Sequence, residues 1–219
     1  EMCIRDSYTI VFSFILKTNI ERYYLYLFVA LIPWIFFSSS ITVGSASIVA
    51  QKDLIKKIYF PRMVIPISYV TSSFVNMLLC FIVIFAVIIV SGAGINFLAL
   101  LTLPVIMLVE YILALGMAML TSAITVYFRD LEHILGIVTM AWMYMTPIMY
   151  DKSIVPENLM PIFNLNPMTH VIECYRAVLY EKKIPDLTTL LSAAGLGILI
   201  LIVGILVFNK LQKRFAEEL

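Results

Sequence analysis

Long uncharged runs alternate with short charged segments along this chain. The runs cover residues 23–50, 63–90, 97–126, 134–150 and 187–208, and Glu110 is the single Asp, Glu, Lys, Arg or His within them. A helix of about 20 apolar residues crosses a bilayer core of about 30 Å, whereas the strands of a membrane barrel alternate every second residue. The pattern therefore predicts an all-α fold, a polytopic transmembrane helical bundle. The run 134–150 is marginal in length, but its aromatic end is typical of a membrane interface.

The chain begins differently. Residues 8–16, "YTIVFSFIL", are apolar, but nine helical residues rise only about 13 Å and do not cross a membrane. We interpret them as the end of a span whose first part is absent from this chain. A secretory signal peptide is the competing interpretation, but residues 1–7 carry both charge signs and no small-residue cleavage site follows. We leave residues 1–7 unassigned as a non-native leader and treat residues 8–219 as one transmembrane domain.

Composition excludes several classes of function. The chain is 62% hydrophobic and 13% charged with a formal net charge of +1, so its charge does not support nucleic-acid binding. The sequence contains no phosphate loop of the G-x-x-x-x-G-K-[ST] type and no evident Ser, His and acid trio. We therefore expect a transport subunit that is not an enzyme and has no ATPase site of its own. Cys3, Cys80 and Cys174 lack metal-ligand spacing, and His133 and His170 fall in different loops, so we expect no metal site.

The basic residues predict which loops face the cytoplasm. Loops 51–62 and 127–133 and the tail 209–219 together hold eight of the fifteen Lys and Arg residues. The loop 51–62 is short and lies directly between two apolar runs, where the positive-inside rule is strongest. We assign these three segments to the cytoplasm and the segment 151–187 to the outside.

The loop 51–62, "QKDLIKKIYFPR", combines four cationic side chains with an apolar stripe. Spacings of three and four place Leu54, Ile55, Ile58 and Tyr59 on one helical face, and Pro61 ends the element. Such a helix either faces lipid, with its lysines meeting anionic headgroups, or lies in a groove on a partner protein. The residues alone leave both interpretations open.

Five stretches resemble one family in the right order. They are "YLYLFVALIPWIFFSSSI" before the basic loop, "IVAQKDLIKKIYFPRMVIPIS", "VYFRDLEHI" at 126–134, "TPIMY" at 146–150 and "NPMTHVIECYRAVLY" at 166–180. Together they resemble the membrane subunits of ABC-2 type exporters, in the branch that moves O-antigen, capsule and teichoic acid chains. The likeness extends from Tyr8 to the end of the chain.

The resemblance implies that the loop helix contacts a separate ATP-binding cassette subunit. The implied partner-binding residues are Gln51, Lys52, Asp53, Leu54, Ile55, Lys56, Lys57, Ile58, Tyr59, Phe60, Pro61 and Arg62. It also implies that ATP and Mg²⁺ bind the ATPase subunit, so that this chain itself has no cofactor. On the second inward loop, Phe128, Arg129 and Asp130 are either an auxiliary contact or a structural ion pair, and we favour the ion pair.

The family architecture implies six spans in a complete subunit, about five and a fraction of them in this chain. A family member usually begins with a cytoplasmic amphipathic helix, which we expect to be missing here. A complete exporter contains two copies of the membrane subunit and two ATPase subunits. In the segment 151–187 the resemblance implies short helices that dip into the outer membrane face, and helical spacing predicts that Glu173 and Arg176 pair with one another.

Aromatic residues of two runs are candidates for contact with a passing sugar chain. Most are expected to be interface anchors or packing residues, but flat rings with a hydroxyl or indole donor also guide sugars without gripping them. The candidate pathway residues are Tyr26, Trp34, Phe37, Trp142, Tyr144 and Tyr150.

Glu110 is the exception among the apolar runs. An acid at that depth costs roughly 2.5–3.5 kcal/mol on insertion scales, so we expect it to be protonated, hydrogen-bonded or next to a wet cavity. We favour a structural acid with a polar neighbour such as Asn76 over a transport residue.

The sequence thus predicts the membrane permease subunit of an exporter of lipid-linked polysaccharide, located in the bacterial cytoplasmic membrane. Its expected partners are the ATPase subunit, a second copy of the permease, the lipid-linked polysaccharide and membrane lipids. Two alternatives stay open: an ABC-2 exporter of a drug or other hydrophobic small molecule, and an ion-coupled carrier. The shortage of charged residues inside the spans argues against the carrier.

Overall fold

The computed structural model describes residues 22–57, 60–90, 94, 96–152, 155–156, 158 and 160–215. Within these ranges all regular structure is helical, which confirms the all-α prediction. The helices are α1 (Tyr23–Ala50), α2 (Lys52–Lys57), α3 (Val64–Val90), α4 (Phe97–Leu100), α5 (Leu103–Thr125), α6 (Leu131–Met145), α7 (Met160–Leu165), α8 (Pro167–Leu179) and α9 (Leu187–Leu211), followed by a 3₁₀ turn at Gln212–Arg214. The predicted leader at residues 1–7 and the partial span at 8–16 lie outside the described residues.

Within the part of the chain that the structure describes, four helical segments are long and apolar enough to cross a membrane. They are Tyr23–Ala50, Val64–Val90, Phe97–Thr125 and Leu187–Arg214. Four of the five predicted runs are therefore confirmed as candidate spans. Their boundaries match the predicted runs closely because charged or glycine-containing loops interrupt the apolar sequence there.

The fourth run, residues 134–150, differs from its prediction. Its helix α6 covers only the 15 residues Leu131–Met145, about 22 Å at 1.5 Å per residue. The helix ends before Thr146, which is extended with φ −107° and ψ 131°. A residue that precedes proline is driven out of the helical region by the proline ring, so Pro147 explains the early end. The residues 146–150 therefore leave the helix and form a separate segment.

Helix α5 lies between α1 and α9 and is in close contact with both. A Cβ atom at Gly204 would lie 2.4 Å from the carbonyl oxygen of Gly116, and one at Gly116 would lie 2.6 Å from the backbone of Leu201. Helices α5 and α9 thus touch backbone to backbone. Gly44 brings α1 close to α5 as well, since a Cβ atom there would lie 2.8 Å from the Cβ of Ala118. Small residues at helix interfaces permit such approaches in membrane proteins.

The loops predicted to be cytoplasmic gather at one end of the bundle, here called the docking-loop end. Ile55 of α2 packs in one buried cluster with Val126, Phe208 and Phe215. At the opposite end, Tyr23 at the start of α1 contacts the residue 149 backbone. The chain therefore crosses between ends as predicted, with the segments 51–57, 126–128 and 208–215 together. Which end faces the cytoplasm stays a prediction.

Candidate functional sites

Helix α2 at the docking-loop end splits the predicted apolar stripe. Leu54 is 40% exposed, whereas its neighbour Ile55 is 6% exposed and lies in the protein's own core. Consecutive residues on a helix point about 100° apart, so the two side chains serve different purposes. Ile58 and Tyr59, the other predicted members of the stripe, lie outside the described residues. Leu54 is thus the apolar side chain of α2 that is open to a partner or to lipid.

The remaining surface of α2 is charged and exposed. Lys52, Asp53, Lys56 and Lys57 all project outward, with three positive charges against one negative charge. The helix is oriented partly by Gln51, whose side-chain amide donates to the Tyr69 hydroxyl at 3.3 Å. The result is a short basic platform around Leu54, with Phe60, Pro61 and Arg62 following in non-helical backbone.

The loop between α5 and α6, also at the docking-loop end, is exposed. Phe128 is 68% exposed, and Arg129 and Asp130 are exposed beside it. No ion pair among the described residues includes Arg129 or Asp130, and the interpretation of this loop as a structural ion pair stays a prediction. Adjacent residues at a helix start point in different directions, which separates the two charges. An auxiliary contact through Phe128 stays a prediction.

The six candidate pathway aromatics fall into three sets: a buried cluster, the exposed Tyr144, and the pair Tyr26 and Tyr150. Trp34, Phe37 and Trp142 form one packed cluster between α1 and α6, with ring centroids 5.4–6.5 Å apart. Trp34 and Phe37 are almost fully buried, at 3% and 0% exposure. Tyr144 is 62% exposed on the far side of α6. In this structure, Tyr144 is therefore accessible to a ligand, whereas the cluster fastens α6 to α1.

Residues 148–150, here called the strap, follow the end of α6 in non-helical backbone. Three consecutive carbonyls of the strap each accept a hydrogen bond from a different side chain. The Arg176 Nη2 donates to Ile148 at 2.7 Å, the Tyr23 hydroxyl donates to Met149 at 2.8 Å, and the Tyr26 hydroxyl donates to Tyr150 at 3.2 Å. The donors come from α8 and α1, so the strap joins these two helices to the end of α6.

The predicted pair of Glu173 with Arg176 is wrong. The Glu173 carboxylate contacts the Lys152 ammonium at 2.8 Å and the His170 ring at 3.9 Å. Arg176 instead turns into the protein, where its Cζ lies 3.7 Å from the centroid of the Tyr26 ring. Burial lowers the pKa of the Arg176 guanidinium, and its neighbours Tyr26 and Asp151 act in the opposite direction. A cation facing an aromatic ring away from water contributes about 2 kcal/mol.

Glu110 is fully buried, and its partner differs from the predicted one. Its Oε2 accepts a hydrogen bond of 2.6 Å from the Tyr175 hydroxyl of α8, while Asn76 is exposed on α3. The Tyr175 ring also packs on Phe81 at 5.5 Å. Because Glu110 is hydrogen-bonded across helices and shielded on all sides, its geometry is that of a structural acid linking α5 to α8.

Sequence reasoning missed two sets of contacts. One is the cap at the docking-loop end, where the Tyr127 hydroxyl donates to the Leu211 carbonyl at 3.0 Å and Phe215 is fully buried. The other is the inward turn of Arg176. The sequence carries one signal for the second, since Arg176 is flanked by the apolar run "AVLY" and by Tyr175.

Comparisons with known proteins agree with this architecture. Residues 7–180 match the ABC2_membrane family, the ABC-2 type transporter. The chain is 29% identical over 214 residues to the O-antigen export system permease protein RfbA of Myxococcus xanthus, covering 97% of this chain and 82% of that protein. It is 33% identical over 212 residues to the protein of the same name from Klebsiella pneumoniae, again covering 97% and 82% of the two chains. The chain therefore belongs to the ABC-2 type transporter family.

Proposed function

We propose that this chain is the membrane permease subunit of an ATP-binding cassette exporter that moves lipid-linked polysaccharide across the bacterial cytoplasmic membrane. Membership of the ABC-2 family implies an ATP-binding cassette partner. The cargo is inferred from the relatives, which are named O-antigen export permeases and align over 97% of this chain. This near-complete alignment is the observation that carries the proposal. Two copies of the permease would form the pathway between them, with ATP and Mg²⁺ bound to the partner subunits.

The proposed contact with the ATPase subunit is the exposed face of α2. Leu54 is 40% exposed among Lys52, Lys56 and Lys57. An apolar side chain inside a charged rim is the usual composition of a protein interface with a buried centre. A lipid surface would satisfy both the lysines and Leu54, but membership of the ABC-2 family implies an ATP-binding cassette partner and therefore favours the protein contact. The proposed mechanism is mechanical: nucleotide-driven closure of the ATPase subunits pushes on α2, and the spans convey the shift to the pathway.

The test is co-purification of the permease with an ATP-binding cassette ATPase subunit from the same organism. Leu54→Asp, alone and together with Ile58→Asp, should weaken ATPase binding by about 30-fold or more, since central interface side chains typically contribute at least 2 kcal/mol. Asn209→Asp is the matched control, because it adds one negative charge to an exposed position at the same end of the bundle. All variants should insert into the membrane at the wild-type level, so that a lower yield of co-purified ATPase subunit reports weaker binding.

The cargo is tested by reconstituting the wild-type complex in vesicles that contain lipid-linked glycan. ATP-dependent movement of the glycan across the vesicle membrane is the expected result. A complex that hydrolyses ATP and exports a hydrophobic dye but no glycan would support the small-molecule alternative instead. A wild-type permease that never associates with an ATPase subunit would remove the exporter proposal.

A further inference from the structure

The end of α9 and the buried side of α2 share one apolar cluster. Ile55, the buried residue of α2, lies in a cluster with Phe208 and Phe215. Both phenylalanines are 0% exposed, and their rings meet edge to face with centroids 5.5 Å apart. Phe215 lies one residue beyond the 3₁₀ turn, where a side chain is ordinarily free to face water. Phe215 keeps helical backbone angles (φ −57°, ψ −32°), so its complete burial shows that the extended end of α9 packs into the same cluster as α2.

Two donors fix this turn in place. The Arg62 guanidinium donates to the Gln212 carbonyl, and the Tyr127 hydroxyl donates to the Leu211 carbonyl at 3.0 Å. The last carbonyls of a helix have no partners within the helix, and a cation next to them is favoured by the helix dipole. Arg62 belongs to the same loop as α2, and Tyr127 follows α5. The end of α9 is thus bonded to both neighbours.

Helix α9 is packed tightly against α5. Their backbones touch at Gly116 and Gly204, where an added Cβ atom would lie 2.4 Å from a carbonyl oxygen. A contact this close leaves no room for the helices to slide past one another without separating. A displacement of the end of α9 should therefore be shared by α5. Helix α5 also carries Glu110, which accepts the hydrogen bond from the Tyr175 hydroxyl of α8.

We propose that Phe208, Leu211, Gln212 and Phe215 form a seat for α2, and that Arg62, Tyr127 and Phe215 are positioning residues that couple α2 to the α5–α9 pair. The inference rests on the proposed function, because it assigns the route by which a push on α2 reaches the spans. Helix α2 is linked through the chain only to α1 and α3. The seat adds a contact to α9, whose remaining surface is mostly exposed to lipid.

The first experiment uses the permease alone, so that it does not depend on an ATPase partner. Spin labels at Asp53 and Lys213, both exposed, report the distance between α2 and the end of α9 in a background without the three native cysteines. The wild type should give one narrow distance distribution. Arg62→Ala and Phe215→Ala should broaden it, while Arg62→Lys, which keeps a cationic donor, should restore it. Lys210→Ala, an exposed change on the same helix, is the control and should leave the distribution narrow.

The second experiment uses the complex with the ATPase subunit. Tyr127→Phe removes one hydroxyl, and Phe215→Leu keeps an apolar side chain, so both variants should fold. We expect each to keep the ATPase bound as in the wild type but to lower the glycan moved per ATP hydrolysed by about 5-fold, within the range that single positions exert on coupling. A side chain that only stabilises the fold would lower yield and melting temperature without changing this ratio.

The outcomes separate the two proposals. Narrow distance distributions in Arg62→Ala and Phe215→Ala would overturn the seat, as would an unchanged ratio of transport to hydrolysis in Tyr127→Phe and Phe215→Leu. Loss of ATPase binding in Phe215→Leu would also overturn it, because the seat acts after docking. If the wild-type permease binds no ATPase while the label distances behave as expected, the proposed function fails and the α2–α9 contact stands.

Discussion

Replacing Gly204 by alanine tests the packing of α5 against α9 directly. The new Cβ atom would lie 2.4 Å from the carbonyl oxygen and 3.2 Å from the carbonyl carbon of Gly116, and real Cβ atoms essentially never approach other heavy atoms closer than 3.0 Å. The obstacle is backbone on a facing helix, so no side-chain rotation relieves it. The helices must therefore move apart locally until the distance from the new Cβ atom to the Gly116 carbonyl oxygen grows from 2.4 Å to at least 3.0 Å.

The separation costs stability in two ways. Forcing one extra carbon into a packed interface typically costs about 1–3 kcal/mol. Van der Waals packing is also the main attraction between helices in lipid, since apolar burial contributes little there. At roughly 2–4 °C per kcal/mol for a chain of this size, the apparent melting temperature should fall by roughly 2–12 °C.

Gly195→Ala supplies a matched comparison. It makes the same chemical change on the same helix, but a Cβ atom at Gly195 meets nothing within 4 Å. Alanine is about 0.5–1 kcal/mol more favourable than glycine inside a helix, so this variant should melt at or slightly above the wild-type temperature. The assay is the fraction of monodisperse protein that survives heating in detergent, measured by size-exclusion chromatography. Equal melting of Gly204→Ala and Gly195→Ala would refute the close contact.

Two further predictions concern the hydrogen bond between Tyr175 and Glu110 and the buried contacts of Arg176. Tyr175→Phe leaves the buried Glu110 carboxyl without its donor and should cost about 1–3 kcal/mol, whereas Glu110→Gln keeps an oxygen to accept from Tyr175 and should melt within a few degrees of the wild type with transport intact. Loss of transport in a well-folded Glu110→Gln would show that Glu110 is a transport residue. Arg176→Met removes both the donor to the Ile148 carbonyl and the contact with the Tyr26 ring, so it should lower the melting temperature more than Arg176→Lys does. Equal effects of the two Arg176 variants would mean that the planar, forked guanidinium is not required.

The sequence predicted the spans well, because the length of an apolar run is a local property. It also contained the reason for the one misplaced boundary: Pro147 prevents Thr146 from continuing α6, so the run 134–150 could not be one helix. Residue pairs within one helix were predicted less well. The spacing of Glu173 and Arg176 permits an ion pair, but it says nothing about the competing partners Lys152 and Tyr26, which are distant in the chain.

The site at the docking-loop end shows the same limit. Helical periodicity groups Leu54 with Ile55, yet the structure exposes one and buries the other. The deciding factor is the cluster that Ile55 shares with Phe208 and Phe215, which lie about 150 to 160 positions further along the chain and which no local pattern encodes. Where a single apolar stripe faces two environments, the sequence alone cannot apportion its members between them.

The strap has a consequence for how α6 moves. Its three carbonyls are bound one after another by side chains from two helices, so peeling the strap away exposes neighbouring acceptors in rapid succession. Unpaired buried carbonyls are costly, so each further bond that is broken adds to the cost of detaching the strap. A movement of α6 at this end should accordingly either carry α1 and α8 along with it or break all three bonds.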